Sequence, residues 1–271
     1  MSASKTLVCV HAHPDDESLF TAGITAHYAE RGYQIILVTC TSGLLGIDNN
    51  NLPGSAPGHN REYVRATRAK ELQDAAHLVG ISRVVTLGYE DSGLAGWQQN
   101  SAPLAFMNCN VEAVGSTLSA LFAEVNASVV VTYDENGFYG HPDHVMANRV
   151  TRNAVAKSPG VERLYYPVMP SDLMADFVIR ATSEQVSLPT WVTDASVDID
   201  RSLISTVMDV SRFSRLKQQA IATHASQTDN ADLVTMNPEL FAMLFGTEFY
   251  QRAFTKSPTA ADGTDLFGGL S

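Results

Sequence analysis

The sequence predicts an α/β protein: a Rossmann-like, mostly parallel sheet with helices on both faces, plus a smaller C-terminal β/α annex. Three observations predict it. Short, nearly continuous apolar runs alternate with longer helical patterns from Leu7 to Tyr166, the mark of strands buried on both faces. Glycines stand where helices should stop, at Gly32 and Gly80. The long polar loops come after the strands, where open parallel sheets gather their ligands.

In order, strands are expected over residues 7–10, 35–39, 84–87, 129–132 and 164–166. Helices are expected between them over 19–31, 61–79, 111–125 and 145–156. After Pro170 the pattern shortens, with β-rich segments around 177–182 and 191–199, a helix over 202–225 and a short one near 239–245. The chain thus divides into a catalytic core over 1–170, an annex over 171–256 packed on it, and a small, polar tail, 257–271, expected to be poorly ordered.

Composition narrows the function. Of 271 residues 45% are hydrophobic, and 29 acidic against 18 basic residues leave a net charge of −11. That balance argues against partners read through phosphates, whether nucleic acid or an anionic membrane surface. No apolar run approaches the roughly 20 residues that span a bilayer, so no membrane insertion is expected. The N-terminus lacks a secretory pattern, which places the chain in the cytoplasm. Cys9, Cys40 and Cys109 lie far apart without a CxxC spacing, suggesting neither disulfides nor a thiolate metal site. No GxGxxG follows the first strand, so a dinucleotide has no fingerprint here. A homo-oligomer is compatible with everything above.

The chemistry sits in two loops. "VHAHPDDES" leaves the first strand and "YDENGFYGHPDH" the fourth. His13 and Asp16, three apart across Pro14, turn towards one point as strand gives way to helix, and His144 approaches it from the fourth loop. Two imidazoles and a carboxylate are a common ligand set for catalytic zinc, whose fourth position stays open. The same mixed nitrogen and oxygen donors accept Fe2+. Asp15, between the two N-terminal ligands, points away from coordination and is the general base. Glu17 reads as a structural acid at a helix start.

In "GHPDH", Pro142 suits a first helical turn and sets His141 and His144 on one side. His141 serves as an acid beside the metal, and Asp143 orients one of the imidazoles. Tyr139 offers a hydroxyl to a developing oxyanion. His11, His27, His59, His77 and His224 are read as ordinary core or surface histidines, His224 with the weakest claim to that reading.

"AHPDDE", "RATRAKEL", "EDSGLAG", "TYDENGFYGHPDH" and "LKQQAIATHASQ" resemble the PIG-L/LmbE-like family of zinc-dependent N-acetylglucosaminyl deacetylases, most of all its mycothiol-pathway branch of a deacetylase and an S-conjugate amidase. The likeness runs to about Phe254. It implies His13, Asp16 and His144 as ligands and Asp15 as base. It further implies His141 as general acid or transition-state stabiliser, Tyr139 as an aid to the carbonyl oxygen, and Arg68 and Asp91 as holders of sugar hydroxyls. Two departures bear on the substrate. Leu44-Leu45-Gly46-Ile47 and the run Asn49–Asn51 replace an acidic stretch, and Phe20 stands where a polar residue is usual.

The expected reaction is removal of an N-acetyl group from an N-acetylglucosamine-type small molecule. The alternatives are an amidase acting on a larger acyl or cysteinyl amide of a thiol-sugar conjugate and, more remotely, a non-enzymatic sugar-binding module. The loop over residues 41–60 is long for a connection and is expected to rim the pocket.

Overall fold

The structure is a computed structural model that describes residues 5–193, 198–256 and 263–270. Its core strands are β1 (Thr6–His11), β2 (Gln34–Thr41), β3 (Arg83–Tyr89), β4 (Ala127–Val131) and β5 (Arg163–Pro170). Between them run α1 (Ala22–Glu30), α2 (Arg61–Leu78), α3 (Val111–Glu124), the single turn α4 (Gly137–Gly140) and α5 (Pro142–Ala156). The remainder is α6 (Ser171–Ser183), β6 (Asp198–Ile199), β7 (Thr206–Asp209), α7 (Ser214–Thr223), α8 (Ala231–Thr235), α9 (Pro238–Phe245) and β8 (Thr247–Thr255).

The sheet order is β3-β2-β1-β4-β5-β8-β7, with β6 pairing the end of β5. From β3 to β5 the neighbours are parallel, while β8 lies antiparallel to both β5 and β7. Alternate residues of the central strands feed opposite layers, as a period of two requires. Val8, Val10, Ile36, Val38 and Val130 pack with α3 and α5, whereas Leu7, Cys9, Ile35, Leu37 and Val129 pack with Ile24 and Tyr28 of α1 and Leu72 of α2. Local chemistry starts the helices. Asn60 and Asn110 cap α2 and α3 through Tyr63 N–H and Ala113 N–H, and Pro142 occupies the first turn of α5.

The consequence for function lies at β1. Its neighbours β2 and β4 are reached by chain running in opposite directions across the sheet, which opens a crevice beyond the strand ends, the usual ligand position in this architecture. The loops leaving β1 and β4 meet there. Among the described residues, no helix is long and apolar enough to cross a membrane.

Beyond Pro170 several expectations change. Residues 177–182 are helical within α6, not β-rich: Met174, Phe177 and Ala181 are buried at helical spacing, and Ile179 is 68% exposed. The helix expected over 202–225 breaks into β7, whose burial alternates with period two, and α7. The pairing partner that pulls β7 out of a helix is β8, a strand without an obvious local signal. Of the expected tail, residues 257–262 and Ser271 lie outside the described residues, but 263–270 are anchored by two buried side chains. Leu266 and Phe267 are 0% and 2% exposed against Tyr28 and Tyr33. Arg163 donates to the carbonyls of Leu266 and Gly268 at 2.8 and 2.6 Å, and Tyr28 Oη donates to Asp265 Oδ1 at 2.7 Å. Two aromatic and aliphatic side chains had enough apolar area to order a stretch that reads as small and polar.

Candidate active site

As β1 ends, the chain turns tightly: Asp16 N–H and Ser18 N–H donate back to the carbonyls of His13 and Asp15. The turn brings Asp16 Oδ2 under His13 N–H at 2.7 Å. Tyr133, just past β4, donates its hydroxyl to the same Asp16 oxygen at 2.6 Å and accepts Ala12 N–H at 2.9 Å. Its ring stacks on His144, with centroids 4.0 Å apart and planes 13° apart. One side chain thus ties the β1 exit to the β4 exit.

Two imidazole nitrogens and the two oxygens of one carboxylate converge at that tie. His13 Nδ1 lies 3.3 Å from His144 Nε2 and 3.4 Å from Asp16 Oδ2, and His144 Nε2 lies 3.5 Å from Asp16 Oδ1. A tetrahedral site with bonds of about 2.0–2.1 Å has edges of about 3.3–3.4 Å, so the spacings between the three residues fit a metal ion, with Asp16 meeting His13 through Oδ2 and His144 through Oδ1. His13 also groups with His141 and His144, and with Asp91, His141 and Asp143. Hydrogen bonding selects among these sets. His13 Nε2 faces Asp143 Oδ2 at 3.2 Å, which keeps its proton there and leaves the Nδ1 lone pair free. His141 Nδ1 accepts Asp143 N–H at 3.1 Å, so in the neutral ring the proton sits on Nε2. His141 is then a donor to the pocket, not a ligand.

Asp143 accepts Ser92 N–H at 2.8 Å and Ser92 Oγ–H as well. Fully buried behind His13, it orients that imidazole and does not line the cleft. Asp91 lines the cleft 3.7 Å from His13 Nε2 and is fixed by Gly93 N–H at 2.8 Å. Burial opposes the charge of Asp91, yet His13 holds it well below the usual carboxylate range.

Asp15 sits between the ligand candidates His13 and Asp16 with φ 133°, a conformation rare outside glycine. Arg68 reaches it from the inward face of α2, which also carries Val64, Leu72 and Ala75. Arg68 Nη2 lies 3.0 Å from Asp15 Oδ1 and donates to Pro14 O, and Nη1 donates to Gly43 O at 2.9 Å. Gly43 has to be glycine, because a Cβ there would stand 2.5 Å from the guanidinium. Arg68 and Asp91 both line the cleft expected to hold sugar hydroxyls, but most of the guanidinium is spent on Asp15 and two carbonyls. Burial pushes Asp15 up to about 6 against the pull of Arg68, with Asp16 adding to the rise.

Tyr139 projects from the strained turn α4, where Phe138 has φ 65° and Gly137 φ 68°. A Cβ on Gly137 would come within 2.7 Å of Val145 N. The Tyr139 ring stands 5.0 Å from that of His144, and burial raises its hydroxyl, which stays a donor. His141 and Tyr139 line a cleft of about 800 Å3 together with His13, Asp15 and Asp16. The 41–60 loop supplies Leu45, Ile47 and Pro53 to the lining, joined by Leu94 and Trp97 from the loop after β3 and by Leu188 and Trp191 after α6. Phe20 lines the cleft, with its ring 4.8 Å from Phe138, while Asn49–Asn51 are exposed on that loop and do not line it.

Sequence reasoning missed Tyr133, Ser92 and the pair Glu17–His224. Tyr133 opens the quoted motif "YDENGFYGHPDH" and was within reach; Ser92, Glu17 and His224 also lie in quoted stretches, but nothing local tells what they pair with. Glu17 does stand in the first turn of the helical stretch that follows β1, and it is fully buried there, 2.7 Å from His224 Nε2.

The model of the family described as "PIG-L: GlcNAc-PI de-N-acetylase" matches residues 8–155, the segment that holds every ligand candidate. The chain belongs to the PIG-L family. Among its relatives is the 1D-myo-inositol 2-acetamido-2-deoxy-alpha-D-glucopyranoside deacetylase of Saccharomonospora viridis, 36% identical, with 97% of this chain and 100% of that protein covered. Two solved structures share the fold. The N,N'-diacetylchitobiose deacetylase of Pyrococcus horikoshii has a TM-score of 0.58 at 19% identity, covering 92% of this chain and 84% of that one. The 4-carboxy-2-hydroxymuconate hydratase of Pseudomonas putida has a TM-score of 0.59 at 17% identity, covering 94% and 99%. A hydratase on the PIG-L scaffold means that the fold alone does not decide the reaction.

Proposed function

We propose that this PIG-L chain hydrolyses the acetamide of an N-acetylglucosamine-type sugar, giving acetate and a free amine, with zinc held by His13, Asp16 and His144. The observation that carries the reading is the convergence of His13 Nδ1, His144 Nε2 and the Asp16 carboxylate, at 3.3 Å between the nitrogens and 3.4 and 3.5 Å from them to the two Asp16 oxygens, beside a cleft that His13, Asp15 and Asp16 line. The relatives' deacetylase names agree with it. Bound there, zinc would supply a Lewis acid for the carbonyl and acidify water; Fe2+ suits the same donors.

The chain's own residues do the rest. Asp15 takes a proton from the attacking water as its oxygen adds to the acetamide carbon. Tyr139 Oη–H and His141 Nε2–H donate to the negative oxygen that replaces the carbonyl. When the C–N bond breaks, the protonated Asp15 carboxyl returns its proton to the leaving nitrogen. Arg68 and Asp91 hold sugar hydroxyls at the cleft wall, and Asp143 keeps His13 turned to the metal.

Cleft size favours one further reading. At about 800 Å3 the space exceeds what an acetamido sugar needs, so a larger acyl group, as in an S-conjugate amidase, is the second candidate. The test is product analysis on N-acetylglucosaminyl-inositol and on cysteinyl-amide conjugates, using metal-free and zinc-reloaded protein. Acetate release restored by zinc supports deacetylation. Release of only the larger acyl group transfers the assignment to the amidase, and no zinc-dependent turnover of either sinks both.

A further inference from the structure

Asp15 is held in its rare backbone conformation by a device that lies outside the cleft. Its N–H donates to Glu17 Oε2 at 3.0 Å. Its carbonyl accepts Ser18 N–H and Leu19 N–H at 3.0 and 3.2 Å. The carbonyl bonds belong to the helical turn that follows, so the special restraints on φ act on the Pro14–Asp15 peptide: Arg68 at its carbonyl and the Glu17 carboxylate at its N–H. Glu17 in turn is fixed from its other oxygen, which accepts Ser18 Oγ–H at 2.6 Å and His224 Nε2–H at 2.7 Å. His224 caps the C-terminus of α7 and stands 207 residues away in the chain.

Neither Glu17 nor His224 lines the cleft, and both are buried. An ion pair buried this deeply gives little net stability, because desolvation offsets the attraction. Its geometry does something a hydrophobic pair would not. A carboxylate is the strongest acceptor available for a single backbone N–H, and a positive φ at a non-glycine residue persists only where its surroundings over-determine it. Arg68 aims the Asp15 side chain at 3.0 Å and holds the Pro14 carbonyl, while the Glu17–His224 pair holds the N–H of the same peptide.

We propose that His224, acting through Glu17, is a positioning residue that holds the Asp15 backbone at φ 133° and so keeps its carboxylate over the ligand triangle. The proposal rests on the reading of Asp15 as the base. It also ties the C-terminal helical segment to the chemistry at β1.

The test uses the full chain loaded with zinc, in four variants: His224→Phe, which keeps a ring but loses the donor; His224→Gln, which restores an N–H; Glu17→Gln; and Asp15→Asn. Loss of alignment predicts a kcat lower by about ten- to a hundredfold in H224F with KM within about twofold. Zinc content stays at the wild-type level and H224Q recovers most of the rate. In the D15N background H224F costs nothing further. Independently of activity, the Asp15 amide of 15N-labelled metal-free protein exchanges about tenfold faster in H224F than in wild type. If H224F does not fold, E17Q carries the same expectations in weaker form. Wild-type kcat together with unchanged Asp15 amide exchange overturns the proposal, as does a loss explained wholly by zinc content. Should D15N itself remain fully active, the base reading fails, and the amide exchange still decides whether His224 positions residue 15.

Discussion

His13 Nε2 and Asp143 Oδ2 are 3.2 Å apart, and that contact decides which face of the His13 ring meets the other two donors. Asp143 is locked by two donors from Ser92, so it cannot turn away without leaving them unpaired. Asp143→Asn therefore weakens metal affinity by about ten- to a hundredfold, the usual cost of losing an outer partner of a ligating histidine. Competitive titration with a zinc chelator measures it; unchanged affinity would show that His13 needs no such orientation.

Asp15→Asn is expected to lower kcat by about 10²–10⁴, the contribution of a positioned acid–base group, while the donor triangle still takes up metal. Stoichiometry by elemental analysis and acetate release are read on the same sample. An active, fully loaded variant removes Asp15 from the proton transfers.

Tyr133→Phe removes a hydroxyl that both donates to Asp16 and accepts Ala12 N–H. A buried amide left without its partner costs about 1–3 kcal/mol, so denaturant unfolding of the metal-free protein should show a loss in that range. A midpoint equal to wild type would mean that another acceptor reaches Ala12.

His224 gives a pH signature. Burial works to lower its pKa, but Glu17, with help from Asp15, raises it above the ordinary value of 6.5. A group with a raised folded pKa contributes its stability fully below the unfolded value and loses it as pH rises through the folded one. For metal-free protein, the Tm difference between wild type and H224F should be largest below about pH 6.5 and shrink at higher pH. A difference that grows with pH contradicts a charged His224 paired to Glu17.

Leu45, Ile47, Leu94 and Trp97 give the cleft an apolar wall. Trp97 lies close against Gly93, where a Cβ would stand 2.5 Å from the indole. N-acetylglucosaminides with an aromatic aglycone should exceed those with inositol in kcat/KM by about tenfold, or about 1.4 kcal/mol. Trp97→Ala should erase the preference. Equal kcat/KM for polar and apolar aglycones in the wild type would discount the wall.

Much of the site is legible without coordinates because its signals are local. The spacing of His13 and Asp16 across Pro14, and of His141 and His144 across Pro142, depends only on how a chain leaves a strand and starts a helix. The core strands β1 to β5 are legible for the same reason, since runs such as Leu7–Val10 suit only a strand buried on both faces. Residues 177–182 show the limit of that reading: β-branched side chains at Val178, Ile179 and Thr182 suggested a strand, and burial of Met174, Phe177 and Ala181 decided for a helix.

By itself, then, the sequence determined the strand-and-loop order, the metal-ligand candidates and the candidate base between two of them. Tertiary structure alone decided that β1 and β4 are neighbours, which ring nitrogen of His13 and of His141 carries the proton, that Arg68 grips Asp15, and that His224 stands behind Glu17. It also placed β8 between β5 and β7 and folded Leu266 and Phe267 onto Tyr28. The physical reason is range. Turn chemistry and periodicity act over a few residues, whereas pairing and burial between segments 100 or 200 residues apart depend on which apolar faces remain uncovered once the sheet has formed, as for Arg163 with Leu266 and His224 with Glu17, 103 and 207 residues apart.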